Sequence, residues 1–201
     1  MNQHSNVQQH LVDVNDSVLI VIDIQDSFLE KYDHAESQTM VNKVAWLLKL
    51  SHALSVPIVA MAEDIENAGS LTQPILDALP EGTMVHDKNV FGLCDNSDIF
   101  AATELTGRKT AILVGLETDV CVTHSALGLL QNGYQVVALK DGMATTAGDE
   151  EIGLSRMSGA GVVISSIKSI FYEWMRSVSN TDDIYAAVPE LKQQVPDNLL
   201  M

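Results

Sequence analysis

Cys121 is the residue of this sequence whose setting best suits a nucleophile. It follows an apolar run at residues 111–114, a glycine and a short polar turn, and apolar residues recur after it at helical spacing. The pattern predicts a buried strand, then a helix that begins at Thr118 or Asp119 with Cys121 in its first turn. The partial positive charge of a helix N-terminus favours a thiolate, the nucleophilic form of cysteine. The alternative is a small buried core residue, the commoner role of a single cysteine.

Two charged residues share this position at the end of a predicted strand. Asp23 interrupts the apolar run of residues 21–24, and Lys88 follows a short predicted strand at residues 84–86. Taken singly, Asp23 could cap the amides of a neighbouring loop, and Lys88 could be a solvated loop lysine. Together with Cys121 they make a set of an acid, a base partner and a thiol that could carry out nucleophilic catalysis.

The elements that must position this set alternate between strand-like and helix-like segments. The alternation predicts an α/β fold, a doubly wound six-stranded parallel sheet in the order 3-2-1-4-5-6 with helices on both faces. Ligands of such sheets bind beyond the carboxyl ends of the strands, where the strand order reverses. The predicted strands are residues 17–24, 57–62, 84–86, 110–114, 134–139 and 161–165, and the predicted helices are residues 37–54, 72–79, 98–106, 119–132, 150–158, 167–178 and 181–194.

Composition and charge limit the possible partners. The 201 residues suffice for one domain with its own core, and we predict a single domain over residues 1–201, with an N-terminal arm at 1–15 and a helical extension at 181–201. A net charge of −16 argues against nucleic acid and anionic membranes as partners. No apolar run is long enough to span a membrane, the first residues are polar with no signal-peptide pattern, and two separate cysteines form no disulfide framework. We therefore expect a cytoplasmic protein.

At these positions the chain resembles the isochorismatase-like cysteine hydrolases. The resemblance rests on residues 21–28 (Val-Ile-Asp-Ile-Gln-Asp-Ser-Phe), on Lys88 with Phe91, and on residues 115–122 (Gly-Leu-Glu-Thr-Asp-Val-Cys-Val), and it covers roughly residues 16–178. Each motif is moderately degenerate alone, whereas their joint order and spacing are specific. The resemblance implies a hydrolase that works through a covalent acyl-thioester.

The family mechanism assigns a role to each residue of the set. The resemblance implies that Asp23 accepts the proton of the Cys121 thiol, that Lys88 keeps Asp23 ionised, and that the thiolate attacks a carbonyl carbon. In relatives a cis peptide bond lies five residues before the cysteine, which corresponds here to Leu116–Glu117. The backbone N–H groups of Glu117 and Cys121 would then form the oxyanion hole.

Departures from related families narrow the cofactor and the substrate. Nicotinamidases of this superfamily bind a metal through histidines after the second strand, whereas this chain has Asp-Ile-Glu at residues 64–66 and no histidine in residues 53–85. We therefore expect no metal and no other cofactor, as in the short, metal-free branch of hydrolases with unassigned substrates. Gln25, Phe28 and Phe91 are predicted to line the substrate pocket.

Three functions remain open at this point. The leading one is cleavage of a small amide or related carbonyl compound by Asp23, Lys88 and Cys121. The alternatives are vinyl-ether hydrolysis of the isochorismatase type, and a non-catalytic, redox-responsive binding protein in which Cys94 could serve as the resolving cysteine. We also expect a homo-oligomer, dimeric or larger, because the large apolar side chains of residues 170–175 suit a subunit interface.

Overall fold

One sheet of six strands organises the chain. The computed structural model describes residues 11–146 and 148–199. The strands are β1 (Ser17–Ile22), β2 (Ile58–Glu63), β3 (Val85–Lys88), β4 (Thr110–Leu116), β5 (Gln135–Ala144) and β6 (Val163–Ser165). They lie in the order β3-β2-β1-β4-β5-β6, and all neighbouring pairs are parallel. The predicted doubly wound parallel sheet is confirmed, with its predicted strand order.

Helices connect the strands and cover both faces of the sheet. They are α1 (Asp26–Leu29), α2 (His34–Ala53), α3 (Ile65–Ala68), α4 (Gln73–Ala78), α5 (Ser97–Leu105), α6 (Thr123–Gln131), α7 (Glu150–Ala160), α8 (Ile167–Met175), α9 (Val178–Ala187) and α10 (Pro189–Gln193). Short 3₁₀ turns occur at Val14–Asp16 and Leu93–Asp95, and a π-helical turn at Thr118–Val122 precedes α6.

The central strand β1 shows why the sheet is covered on both sides. All six of its residues are buried, and the five apolar ones, residues 18–22, divide by alternation between two apolar clusters. Leu19 and Val21 belong to the cluster that contains α2 and α8, where the rings of Trp46 and Phe171 lie 5.7 Å apart. Val18, Ile20 and Ile22 belong to the cluster of α5, α6 and α7 on the other face. A strand buried on both faces is mostly apolar, as residues 18–22 are, which is why the charged Asp23 directly after it is notable.

Several boundaries differ from the predictions, and three of these differences concern Lys88, Cys121 and the C-terminal helix. Lys88 is the last residue of β3, not a loop residue after it. The helix predicted at residues 119–132 begins as the π-helical turn that contains Cys121. The helix predicted at residues 181–194 is two helices, α9 and α10, because Pro189 lacks the N–H that would continue α9 and restricts the residue before it.

Val12 of the predicted N-terminal arm is hydrogen-bonded to α8 and to the residue that follows this helix. The N–H of Val12 donates to Glu173 at 2.7 Å, and the Arg176 guanidinium donates to the Val12 carbonyl at 2.8 Å. Residues 1–10 of the arm and residues 200–201 of the C-terminal extension lie outside the described residues, and the division into domain and extensions stays a prediction. Within the described ranges, no helix is both long and apolar enough to cross a membrane.

Candidate active site

The carboxyl ends of β1 and β4 come close together because of a glycine. Asp23 directly follows β1 and has a positive φ of 52°, a conformation that aspartate tolerates better than most residues. Beside it, Gly115 of β4 has a φ of 133°, and a Cβ atom there would overlap the carbonyl oxygen of Ile22. Only glycine allows this approach, which places the turn leading to Cys121 next to Asp23.

The structure brings Asp23, Lys88 and Cys121 into one buried cluster. The Lys88 ammonium lies 2.7 Å from Asp23 Oδ2 and 3.5 Å from Cys121 Sγ. The side chains of Asp23 and Lys88 are 1% and 0% exposed, and Cys121 is 5% exposed. At 2.7 Å, Asp23 and Lys88 form a buried ion pair. The Leu116–Glu117 peptide bond next to the cluster is cis.

A fourth residue, Glu63, belongs to this cluster and was not predicted. Glu63 is the last residue of β2, and the parallel register pairs it with Lys88. Its Oε2 lies 3.2 Å from Lys88 Nζ and 3.4 Å from Cys121 Sγ. The sequence did carry a signal, since Glu63 follows an apolar run as Asp23 does. This stretch was considered in the sequence only for the missing metal-binding histidines at residues 64–66, and Glu63 was assigned no role.

Gln25 supports the end of β2 through its side-chain amide, and its predicted place in the pocket wall stays a prediction. Its side chain is fully buried, and its amide binds the backbone of Glu63 from both sides. The amide oxygen accepts from the Glu63 N–H at 2.8 Å, and the amide nitrogen donates to the carbonyls of Glu63 and Gly69 at 2.8 and 2.7 Å. With its amide engaged in this way, Gln25 fixes the end of β2 and leaves little for a ligand to contact.

Phe28 and Phe91, the other two residues predicted to line the pocket, are less buried than Asp23, Lys88 and Cys121. Phe28 is half-buried against the core, with the Lys31 ammonium 4.4 Å from its ring centre. Phe91 is exposed and meets His124 edge-to-face, with ring centres 6.1 Å apart. The contribution of Phe28 and Phe91 to a substrate pocket stays a prediction.

Burial determines the protonation states of the cluster. It raises the pKa of Asp23 to about 6 although the Lys88 charge opposes this. Burial, together with the charge of Asp23, also raises the pKa of the Cys121 thiol above its usual range. For Lys88, burial lowers the pKa, but the negative charges of its neighbours outweigh that effect and the pKa is raised overall. At neutral pH the resting site therefore holds a thiol, a carboxylate and an ammonium group.

This resting state corrects the thiolate that the sequence pattern led us to expect. The burial of Cys121 and the charges of the two carboxylates beside it raise the pKa of the thiol, although the charge of Lys88 opposes them. Cys121 therefore needs a base at the moment of reaction. Asp23 is ionised at neutral pH, and one of its carboxylate oxygens lies within 4.8 Å of the sulfur. One ligand atom each of Asp23, Glu63 and Cys121 lie within 4.8 Å of one another.

The same three donors could in principle hold a metal ion. The Lys88 ammonium, however, lies 2.7 to 3.5 Å from all three side chains, which is the position that a cation would take. A metal ion would have to displace this ammonium or bind while Lys88 is neutral, and the raised pKa of Lys88 opposes the second route. The residues present fit an internal cation better than a metal, and the absence of a metal cofactor stays a prediction.

Comparison with known proteins identifies the family. The family model described as Isochorismatase domain matches residues 17–169, which is most of the chain. This chain belongs to the isochorismatase family. The resemblance inferred from the sequence motifs is thereby confirmed, and this family generally consists of hydrolases.

The relatives of this isochorismatase-family chain are distant but cover most of its length. Isochorismatase family protein 1B of Dictyostelium discoideum is 26% identical over 185 residues, covering 90% of this chain and 88% of the relative. The probable hydrolase YcaC of Escherichia coli is 24% identical over 188 residues, covering 92% of this chain and 89% of the relative.

Solved structures confirm the isochorismatase-like fold. A MAR1 ribonuclease from Caenorhabditis elegans superposes with a TM-score of 0.80 at 20% identity and 92% coverage of both chains. YcaC from E. coli, described as an octameric hydrolase of unknown specificity, gives 0.79 at 21% identity, covering 92% of this chain and 94% of that one. An N-carbamoylsarcosine amidase from Thermoplasma acidophilum gives 0.64 at 19% identity, covering 76% and 96%.

Proposed function

We propose that this isochorismatase-family protein hydrolyses a small amide or related carbonyl compound through an acyl-thioester on Cys121. The observation that carries the proposal is the buried meeting of thiol, carboxylate and ammonium groups. Lys88 contacts both Asp23 and Cys121, at 2.7 and 3.5 Å, where the strand ends converge. A nucleophile, a base and a group that holds the base ionised are the parts that acyl transfer requires.

In the first half-reaction, Asp23 accepts the thiol proton while the sulfur of Cys121 bonds to the carbonyl carbon. The negative charge that develops on the carbonyl oxygen is held by the backbone N–H groups of Glu117 and Cys121, the proposed oxyanion hole. When the tetrahedral intermediate collapses, the carbon–nitrogen bond breaks, and the leaving amine takes the proton from Asp23. The acyl group remains on sulfur as a thioester.

In the second half-reaction, Asp23 takes a proton from a water molecule, which attacks the thioester carbonyl. The carbon–sulfur bond then breaks, the acid product leaves, and Cys121 regains a proton. Lys88 stays protonated throughout and limits the rise in the pKa of Asp23 that burial causes. No external oxidant, reductant or metal is needed for either half.

The solved neighbours support the reaction class and an assembly. One carries out amide hydrolysis by its name, N-carbamoylsarcosine amidase, and YcaC is described as an octameric hydrolase. We propose that this chain likewise acts as a homo-oligomer. Its substrate should be small, because Asp23, Lys88 and Cys121 are only 0 to 5% exposed and admit only a small reacting group. The cytoplasmic location expected from the sequence stays a prediction.

Other functions are less well supported by the described residues. RNA cleavage, named for one structural neighbour, fits poorly with a net charge of −16, which repels a phosphate backbone. Redox sensing needs a reactive thiolate, whereas burial raises the pKa of Cys94 to about 11 and also raises that of Cys121. Vinyl-ether hydrolysis needs a general acid, a role that Asp23 could fill, but it would leave the Cys121 thiol without a role.

The pH dependence of amide hydrolysis tests this proposal. Asp23 must be ionised to accept the thiol proton, and its pKa is raised to about 6 by burial. We expect kcat/KM for a cleaved amide to rise as the pH increases through about 6 and to level off above it, because the base is protonated below that value. The measurement is amine release from a panel of small amides between pH 4.5 and 8. A profile that is flat between about pH 5 and 7 would contradict Asp23 as the base.

A further inference from the structure

Glu63 occupies a distinct position among the four clustered side chains. Its side chain is 25% exposed, whereas those of Asp23 and Lys88 are 1% and 0% exposed. Its Oε2 is also 3.4 Å from the sulfur of Cys121. Among these four residues, Glu63 is therefore the one that borders both the reacting sulfur and solvent, and a substrate that reaches the sulfur from this side must pass its carboxylate.

The backbone of Glu63 is held in place for this contact. The buried Gln25 amide binds both the N–H and the C=O of Glu63, each at 2.8 Å. The register of β2 with β3 then points the side chain toward Lys88. This double support fixes the backbone position from which the Glu63 side chain reaches Lys88 and Cys121.

The charge of Glu63 is not required to balance the cluster. Asp23 and Lys88 already form a 2.7 Å ion pair, and the added charge of Glu63 contributes to raising the pKa of both Asp23 and Cys121. A second carboxylate thus makes thiolate formation harder. We expect a contact with the substrate to offset this cost. A carboxylate accepts hydrogen bonds and donates none, so the substrate would have to supply the donor.

We propose that Glu63 is a substrate-binding residue that accepts a hydrogen bond from an N–H of the group attacked by Cys121. Resting on the proposed function, this narrows the substrate class to carboxamides and carbamoyl compounds that keep at least one N–H beside the carbonyl carbon. Esters and ketones offer no donor at that position, and they would leave the Glu63 carboxylate unpaired. Anionic groups at the same position would be repelled.

The test uses two small alkylating agents of nearly the same shape, 2-chloroacetamide and chloroacetone, which differ by NH₂ in place of CH₃. In each reaction the Cys121 sulfur bonds to the CH₂ carbon, chloride leaves with the bonding electrons, and the thiol proton passes to base. Rates of alkylation at Cys121 are measured by mass spectrometry and divided by the rates with glutathione. This ratio removes the difference in intrinsic reactivity.

In the unmodified protein we expect the corrected rate to favour 2-chloroacetamide by about tenfold or more. Glu63→Met, which keeps the length of the side chain and removes its oxygens, should abolish this preference, and Glu63→Gln, which keeps one acceptor, should retain part of it. Asp64→Asn is the matched control. It removes a neighbouring negative charge whose carboxylate contacts Asn67, and it should keep the full preference.

An unchanged preference in a folded Glu63→Met protein would overturn the inference, and so would a failure of both agents to alkylate Cys121. Because alkylation requires no hydrolysis, the outcome is separable from the proposed function. A Glu63-dependent preference without turnover of any amide would contradict the hydrolase and support Glu63 as the binding group. Amide turnover with no Glu63-dependent preference would support the hydrolase and contradict Glu63 as the binding group.

Discussion

Replacing Cys121 with alanine is expected to abolish amide hydrolysis, lowering kcat by about 10⁴-fold or more. The sulfur forms the bond to the acyl group in the proposed reaction, and no neighbouring side chain can replace it. The fold should persist, because the substitution removes a single sulfur atom from a residue that is already 5% exposed. The measurement is amine release under saturating substrate, with circular dichroism and thermal melting to establish that the variant is folded.

Cys94→Ala is the matched control for this variant. Cys94 is the other free cysteine and lies half-buried in the 3₁₀ turn before α5, where it packs against Gly128. Its loss should leave turnover within about threefold of the parental rate, since it has no part in the proposed reaction. Near-parental turnover by Cys121→Ala would exclude the acyl-thioester and favour a reaction that needs no thiol.

Replacing Lys88 with methionine is expected to have the second large effect, on both stability and activity. The substitution leaves Asp23, which is 1% exposed, without its cation. Breaking a buried ion pair in this way costs about 3–5 kcal/mol, which corresponds to a fall in Tm of roughly 6–20 °C for a chain of this size. Turnover should fall by several orders of magnitude at neutral pH, because the pKa of Asp23 should rise further and the base should be protonated.

The stability loss should depend on pH in a definite direction. A carboxyl group whose pKa is higher in the folded state than in the unfolded state binds protons more tightly when folded, so stability falls as the pH rises between the two values. The fall in Tm that Lys88→Met causes, relative to the unmodified protein, should therefore be smaller at pH 5 than at pH 7.5. The double variant Asp23→Asn with Lys88→Met, which removes both charges, should recover part of the loss. Equal Tm values for the single and double variants at pH 7.5 would contradict a buried ion pair at this place.

Much of the fold follows from local pattern. The six buried residues of β1 and the apolar run of β4 leave few alternatives to a parallel sheet covered on both faces. The break between α9 and α10 was missed although Pro189 signals it, because the apolar spacing on either side continues the helical pattern. The π-helical turn at Cys121 has no sequence signature that distinguishes it from an ordinary first turn.

The site was predictable where it depends on topology and less so where it depends on packing. Asp23 and Cys121 could be grouped because both follow strands that the switch-point rule places side by side. Glu63 is paired with Lys88 by the register of β2 with β3, and Gln25 supports Glu63 through hydrogen bonds to its backbone that a sequence does not display. The protonation state of the Cys121 thiol depends on how completely the cluster is buried, and the sequence pattern does not give the extent of that burial.

The most direct test of the acyl-thioester is mass spectrometry of acid-quenched protein after brief exposure to a panel of small amides. For an amide that is turned over, the account predicts an added acyl mass on the peptide that contains Cys121, removed by hydroxylamine and absent in Cys121→Ala. Turnover of that amide without an adduct on Cys121 under single-turnover sampling, or with an adduct on another residue, would contradict it.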